Sequence, residues 1–594
     1  MVPPYPDDAA HFTEEQKQYL AGFFAGAIQR SPQPLVGLTP LGQLIADEKS
    51  SSESHASAQE PNVYGTPVSE LCREELWKYE GNPLDLWDKL IAHSETNGAP
   101  TPEDTFRFKY HGLFYVAPAQ DSFMLRLRIP GGILRSYQLH GLAEIAQRWG
   151  AGGAALTTRA NIQIREFQPK DIVRVLHRVH SLGLTARGSG ADNVRNITVS
   201  PATGIDPAEV YDVSPLAEAL HYYILNSRDL YELPRKFNVA FDSGGSISVL
   251  ADTNDIGFQA VKVAEGKSVP AGTYFRVLLC GITGHRQFAA DCGLLVRPEQ
   301  TIAVAVAMIR VFIQNGDRTD RKRARLKYLV DRLGVEKFVA ETENQLGFSL
   351  LRADVKECEP RSPINRLGHI GIHQQLQTGL QYIGVALPVG LVTAAQMEAL
   401  ARIADQCGSG ELRLTVWQNL LIPNVPTASV RQAVRMLQEA GLDCGAGTIA
   451  SGTVACTGSR GCRYASTDTK SHAVELSQRL DTLFQIDQPV NLHVTGCPHS
   501  CAQHYVGDIG LLGLKTGGQE GYQVVIGGGS DQDHGLAREL FPAISYDLLQ
   551  NKLEQLFRVY IERRHPDESF LAFSRRHSIE ELRALLEVKD MVTQ

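Results

Sequence analysis

The sequence predicts an α+β fold made of one module used twice, with the copies related by a pseudo-twofold axis. The principal observation is an internal repeat. A shift of 258 residues lays Pro130–Ile164 on Pro388–Ile422 without a gap, and 13 of the 35 pairs are identical, including Pro130/Pro388, Gly132/Gly390, Leu142/Leu400, Gly150/Gly408, Thr157/Thr415 and Asn161/Asn419. The same offset reaches Gly183/Gly441, and with small gaps Asp255-Ile256-Gly257 matches Asp508-Ile509-Gly510. The second observation is the order of apolar periodicities: strand, helix, strand, strand, helix, as in a ferredoxin-like unit. A twofold pair of modules leaves a cleft between them, a usual place for a cofactor.

In chain order, residues 12–30 read as a helix, with Thr13 as N-cap and Leu20, Phe23, Phe24 and Ile28 as its apolar stripe. Lys49 to Asn62 is a Ser-rich linker with almost no apolar content. Residues 63–104 are helical in part, over Ser69 to Tyr79 and Asp85 to His93, and the whole of 1–104 reads as an extension that packs or tethers. From residue 105, Phe106, Phe108 and Tyr110, then Met124, Leu125, Leu127 and Ile129, mark strands. A helix follows over Ser136–Trp149, a strand over Ala154–Phe167 and a helix over Lys170–Leu182. The repeat then predicts a ferredoxin-like unit at 105–175, an α/β domain at 176–345, a second ferredoxin-like unit at 366–435 and a second α/β domain at 436–594.

Composition narrows the function classes. With 43% hydrophobic and 21% charged residues, the chain has the make-up of a soluble globular protein. A net charge of −8 gives no sign of a general nucleic-acid binder. Ten cysteines in 594 residues are not a disulfide framework. No apolar run is long enough to span a membrane, and the acidic N-terminus resembles neither a signal nor a transit peptide, which predicts a cytoplasmic protein with reduced thiols.

Four of the cysteines carry a pattern. Cys456 and Cys462 are spaced C-x5-C, Cys497 and Cys501 C-x3-C, in stretches rich in Gly, Ser and Thr. Four soft thiolates suit an iron–sulfur cluster or zinc, but zinc hooks usually have tighter spacing. The other six, Cys72, Cys280, Cys292, Cys358, Cys407 and Cys444, read as small buried hydrophobes.

The first copy holds cations instead. Polar residues alternate with apolar ones in Leu125-Arg126-Leu127-Arg128, in Arg159 to Arg165 and in Arg235 to Val239, and a polar segment runs from Asp192 to Asn196. Each stretch alone could be the solvated face of a sheet. Under the 258-residue offset Cys456 falls opposite Thr198, and Arg195 opposite Thr453, so one half supplies thiolates and the other grips an anion. The charge run from Asp317 to Lys327 is either a solvated helix face or a contact with cofactor or partner, and His111, His493, His499 and His504 read as structural.

The two cysteine stretches resemble the cluster signature of the sirohaem-containing nitrite and sulfite reductases, and the cationic segments extend the resemblance from about residue 105 to the C-terminus. The resemblance implies that Cys456, Cys462, Cys497 and Cys501 bind a [4Fe–4S] cluster and that Cys501 also ligates the sirohaem iron. It implies that Arg126, Arg195, Lys236 and Asn238 hold the substrate anion. Thr158, Arg159, Gln163, Arg165 and Arg235 match positions that bind sirohaem carboxylates, with Arg128 and Gln418 as further haem contacts. Sirohaem carries eight carboxylates, and arginine pairs carboxylates bidentately without losing its charge. Both α/β domains are then haem-binding.

The implied activity is the six-electron reduction of nitrite to ammonia in nitrate assimilation. The alternative is sulfite to sulfide. Family sulfite reductases tend to present two lysines where this chain has Lys236-Phe237-Asn238, and a neutral amide suits the smaller charge of nitrite. No convincing dinucleotide motif is present, so reduced ferredoxin is the expected donor, with flavodoxin or a flavoprotein subunit as alternatives, and a monomer is expected. A zinc-stabilised structural protein, the reading from a different class, explains neither the repeat nor the cationic strands.

Overall fold

The structure, a computed structural model, describes residues 60–445 and 447–587. The helix expected over residues 12–30 and most of the Ser-rich linker lie outside them.

Two five-stranded sheets form the ferredoxin-like layer. The first runs in the order Leu391–Thr393, Gly153–Thr157, Asn161–Phe167, Ser122–Arg126, Leu113–Val116. The second runs Gly371–Gln374, Leu380–Val385, Leu420–Pro426, Glu411–Leu414, Ile133–Arg135. Each sheet therefore borrows one edge strand from the other copy. Ile133–Arg135 pairs with Glu411–Arg413 of the second copy, and Leu391–Thr393 pairs with Gly153–Ala155 of the first. The exchange hides one exposed edge in each sheet and ties the copies through backbone hydrogen bonds.

The helices Ser136–Trp149 and Ala394–Cys407 follow the exchanged strands. Thr393 caps the second: its hydroxyl accepts from Gln396 N at 3.2 Å, while the Gln396 side chain accepts from Thr393 N at 3.0 Å. Leu139, Leu142, Ile145 and Ala146 in one helix and Met397, Leu400, Ile403 and Ala404 in the other enter one shared core. His140 and Glu398, 258 residues apart, hydrogen-bond to each other. Residues equivalent under the repeat can touch directly only near the axis that relates the copies.

The backbone repeats as faithfully as the sequence. Positive φ recurs at Gly131/Val389, Gly132/Gly390, Gly152/Gly410, Ala160/Gln418, Glu166/Asn424 and Gly183/Gly441, each pair at the same offset. Val389 and Gln418 hold left-handed conformations that disfavour their side chains, so the duplicated geometry outweighs local preference there.

Each copy continues into a larger mixed sheet. In the first, Thr198–Val199, Val239–Asp242 and Ile256–Val263 are parallel neighbours, followed by antiparallel Gly272–Leu279, Ala290–Val296 and Leu351–Arg352. In the second, Thr453–Ala455, Leu492–Thr495 and Ile509–Thr516 are parallel, followed by antiparallel Gln519–Ile526 and Arg538–Ser545. Separate apolar cores lie under them, built on Phe237, Phe241, Phe258 and Phe312 in one and on Leu511, Tyr522, Phe557 and Phe573 in the other.

Three local readings are corrected. Phe106 to Tyr110 is not a strand: Thr101 caps a helix over Pro102–Arg107 by accepting from Asp104 N at 3.1 Å, and a tight turn over Phe108–His111 follows. Proline at the first helical position and the two acidic residues after it favour the helix. Ala154–Phe167 is a hairpin, Gly153–Thr157 with Asn161–Phe167, turning at Thr158-Arg159-Ala160 where Ala160 has φ 45°. The copies also do not align at one offset beyond the ferredoxin-like units. Thr198 pairs with Ala240 as Val454 pairs with His493, so Ser200, not Thr198, is the counterpart of Cys456.

Candidate active site

Strand order places the cysteines. Thr453–Ala455 and Leu492–Thr495 are adjacent and parallel, and both cysteine segments leave from their carboxyl ends, where open α/β sheets bind ligands. Cys456 N donates to Val494 O at 3.0 Å, and Gly496 N donates to Cys456 Sγ at 3.2 Å. Cys497 is buried, with His499 Nδ1 3.4 Å from its sulfur. Burial pushes its thiol up to about 11, and Cys501, Cys456 and Cys462 add to the rise, so the four sulfurs share one region. They do not converge on a point: among the described residues no three His, Cys, Asp or Glu side chains could hold a single metal ion. A zinc site brings its sulfurs to about 2.3 Å of one ion, whereas a cluster gives each thiolate its own iron on a larger cage.

Glycines keep the region open. A Cβ on Gly461 would lie 2.9 Å from Arg165 Nη1 and from Thr457 Cγ2, and one on Gly496 would lie 2.7 Å from Ala465 Cβ.

The first copy closes on these segments through its hairpin. Thr158 Oγ1 donates to Cys501 O at 3.0 Å. Arg165 donates to Thr457 Oγ1 at 3.0 Å, to Gly461 O at 3.1 Å and to Gln163 Oε1 at 3.0 Å. Arg159 donates to Asn196 O at 2.8 Å and Asn254 Oδ1 at 2.9 Å. The turn that carries Thr158 and Arg159 thus bridges the loop before Thr198–Val199 and the cysteine region.

Three of the four anion-binding candidates, Arg195, Lys236 and Asn238, come from two segments that pair with each other. Arg195 N donates to Phe237 O at 2.8 Å and Phe237 N to Asn193 O at 3.0 Å. Phe237 is fully buried, while Lys236 and Asn238 flank it and are half-buried. The Arg195 guanidinium is fixed by Ser189 O at 2.7 Å and Ala191 O at 2.6 Å. Arg126 lies over the Phe114 ring, 4.4 Å from its centroid.

Electrostatics join the two halves. Burial and the neighbouring Arg325 push Lys236 down to about 7, against the attraction of Cys501. Burial brings Arg126 down to about 10, again opposed by Cys501. Burial and then Arg126 hold Arg195 well below its usual range. An arginine keeps its proton, so burying these guanidiniums is a cost that a bound anion would offset. Burial raises the Cys501 thiol, and Lys236 is the first cation to oppose the rise. Cys501 is solvent-accessible, and the cations that act on its thiol are Lys236 and Arg126 of the first copy.

Two expected haem contacts are placed elsewhere. Arg128 is 1% exposed and donates to Val194 O at 2.6 Å and Gly188 O at 3.2 Å, so its charge steadies the loop before Arg195. Gln418 is buried and behaves like an extra piece of backbone. It donates to Leu156 O at 3.1 Å and Ala455 O at 3.0 Å and accepts from Ala455 N at 2.9 Å, bracing the strand that leads to Cys456. Arg235 stays at the margin, 3.6 Å from Asp192.

The charge run also resolves. Arg318 pairs with Glu75 at 2.6 Å, Arg321 with Asp192 at 2.7 Å and Arg325 with Asp255 at 2.8 Å, all with largely buried partners. Arg325 is thereby a neighbour of Lys236, a role that a linear reading cannot extract from a run of charges. Lys470 was also missed: it donates to Val389 O and lies near Cys456. His493 and His504 are buried, and burial pushes them down to about 4 and about 3, so they remain neutral framework residues.

A duplicated α/β scaffold with four thiols at strand ends, facing buried cations across a cleft, defines a redox protein built around an iron–sulfur centre. Family comparison agrees. Residues 190–350 and 447–592 match the family described as "Nitrite and sulphite reductase 4Fe-4S domain", and residues 116–182 and 373–440 match "Nitrite/Sulfite reductase ferredoxin-like half domain". The chain is 35% identical to a protein named ferredoxin–nitrite reductase from Synechococcus elongatus, over 82% of this chain and 96% of that one. It is 35% identical to the chloroplastic ferredoxin–nitrite reductase of Spinacia oleracea, over 72% and 74% of the two. The solved structure of the Mycobacterium tuberculosis NirA protein superposes with a TM-score of 0.79 at 26% identity, covering 86% of this chain and 97% of that one. The chain belongs to the nitrite and sulfite reductase family, in the branch of its domains that carries an iron–sulfur cluster.

Proposed function

We propose that this protein reduces nitrite to ammonia, taking six electrons from reduced ferredoxin, at a sirohaem joined through Cys501 to a [4Fe–4S] cluster held by Cys456, Cys462, Cys497 and Cys501. The observation that carries the reading is the position of Cys501. The thiols of Cys456 and Cys462 from the second copy and the cations Lys236 and Arg126 from the first all act on its sulfur. The donor set fits both groups. Four thiols spread over a common region suit a cluster, and Arg126 and Lys236, half-buried and without side-chain hydrogen-bond or ion-pair partners among the described residues, suit a polycarboxylate and a small anion.

When bound, the sirohaem supplies the site where nitrite is held and where electrons enter it. The chain's own part is position and charge. Thr158, Arg159 and Arg165 belong to the wall that meets the tetrapyrrole carboxylates. Arg126, Arg195 and Lys236 neutralise the bound anion and hold it in one orientation. Reduction consumes eight protons per nitrite as its two oxygens leave as water and ammonium forms. Lys236 Nζ is the group that delivers protons to the departing oxygens. Asn238, neutral and next to Lys236 on the cleft side, keeps the pocket matched to a singly charged substrate.

The test is an absorption spectrum with iron and acid-labile sulfide analysis, followed by ammonia production from nitrite with reduced ferredoxin. The expected protein is coloured, shows a Soret band and holds about five irons per chain, four in the cluster and one in the tetrapyrrole. A colourless, zinc-loaded protein with an intact fold overturns the proposal.

A further inference from the structure

Three half-buried cations make no side-chain hydrogen bond or ion pair among the described residues: Arg126, Lys236 and Lys109. The first two belong to the site already described. Lys109 lies in the turn Phe108–His111 and is half-buried. Its surroundings place it in the same wall. A Cβ on Gly190 would meet Lys109 O at 2.5 Å, the Phe114 ring at 2.6 Å and Lys109 Cβ at 2.9 Å, so Lys109 and Phe114 both pack against Gly190. Phe114 carries the Arg126 guanidinium on its ring. The carbonyls on either side of Gly190, those of Ser189 and Ala191, hold Arg195. One glycine is therefore the meeting point of Lys109, Arg126 and Arg195.

The charges around Lys109 leave it in need of an anion. Arg463, Arg195 and Arg321 surround it, and burial with these cations brings it down to about 8. The nearby carboxylate, Asp192, is occupied: both of its oxygens accept from Arg321, at 2.7 and 2.9 Å. An ammonium among like charges, with the local carboxylate spent elsewhere, gains from an anion that comes to it.

We infer that Lys109 is a further anion-binding residue of this cleft, holding either a carboxylate of the tetrapyrrole or the nitrite on its way to Arg126 and Arg195. The inference rests on the reading of the site as a sirohaem nitrite reductase. Arg463, exposed and next to Cys462, continues the line of positive charge outward from Lys109. Carboxylate and nitrite offer the same chemistry, a small delocalised oxyanion.

The test uses holoenzyme with Lys109→Met, Lys109→Gln and Lys109→Arg. Tetrapyrrole per chain is read from the Soret band and iron content, and the nitrite dissociation constant from a spectral titration with added nitrite. If Lys109 holds a carboxylate, Met and Gln lower the tetrapyrrole content several-fold while Arg restores it. If it guides nitrite, content is kept, the dissociation constant and KM rise about tenfold, kcat changes little, and Arg again restores binding. Tetrapyrrole content and nitrite affinity both within twofold of wild type in a folded Gln variant overturn the inference. A wild-type protein that binds no tetrapyrrole or yields no ammonia overturns the functional reading instead, before Lys109 is touched.

Discussion

At the scale of single residues, the site depends on which cations have partners and which do not. Asn238 is the neutral member of the group. Asn238→Lys adds a cation beside Lys236, and a doubly charged anion gains more from it than a singly charged one, especially where water is scarce. The ratio of kcat/KM for nitrite to that for sulfite, measured with one artificial reductant, should fall by at least tenfold; an unchanged ratio in a fully loaded variant removes Asn238 from the specificity argument. The cysteines divide just as sharply. Cys501→Ser should lose the coupling between cluster and tetrapyrrole and with it the activity. Cys292, whose thiol burial pushes up to about 12 and which donates to Val277 O at 3.1 Å, is inert, and Cys292→Ser should cost no more than about 1.5 kcal/mol and no iron. Iron and sulfide content of the two variants, side by side, check the ligand set. Spacing set the four cysteines apart from the other six, and the resemblance then implied a cluster for them. The pairing of Arg325 with Asp255 and the isolation of Lys109 were not legible, because a side chain's partner is set by chain segments far away in sequence.

At the scale of elements, the copies are held by side chains that act as backbone. Gln418, in a left-handed conformation with φ 61°, satisfies Leu156 O and both backbone groups of Ala455. Gln418→Ala leaves buried amide groups unpaired at about 1–3 kcal/mol each. The melting temperature should fall by several degrees and cluster loading with it, since Ala455 leads directly into Cys456. Unchanged iron content would show that the brace and the cluster are independent. A second tie is titratable. Asp531 N donates to Asp252 Oδ2 at 2.9 Å, and Ser248 Oγ donates to the Asp531 carboxyl. Asp242, paired with Arg361, and His534, beside Asp252, complete the surroundings. Burial, then Asp252 and Asp242, raise Asp531 above the ordinary carboxylate value of 3.8. A raised folded-state value means that the folded protein binds the proton more tightly than the unfolded one. The stability it contributes is present at low pH and is lost as pH rises through the raised value. Asp531→Asn, which mimics the protonated form, should flatten the fall in melting temperature between about pH 4 and about pH 8. Parallel curves for variant and wild type would refute this.

At the scale of the whole molecule, the exchanged strands make the two copies one folding unit. Each ferredoxin-like sheet lacks an edge without the other copy, and their helices share one core. A chain cut in the connection between Leu351–Arg352 and Gly371–Gln374 should give halves that are insoluble alone and recover a common species when expressed together, as read by size-exclusion chromatography. Two halves that fold separately would show that the exchange is dispensable. The same connection pins both copies, since Arg361 pairs with Asp242 and Arg366 with Asp508.

The sequence by itself determined the duplication, because it is written in a constant offset and a strand–helix rhythm; it also set four cysteines apart by their spacing, and their resemblance to a known cluster signature pointed to the family. It also marked Arg126 and Lys236 by alternation with apolar neighbours and Arg195 by a polar segment, and the resemblance to the family then picked these three out as candidates. Tertiary structure alone decided which charges remain available. Arg128 Nη1 and the Gln418 amide, at positions indistinguishable in sequence from ligand contacts, are bonded to backbone groups, whereas Lys109, which no motif marks, is left facing cations. The physical reason is that burial makes every polar atom seek a partner, and the partners are chosen by the packing of segments from both copies, a choice that no local stretch of sequence contains.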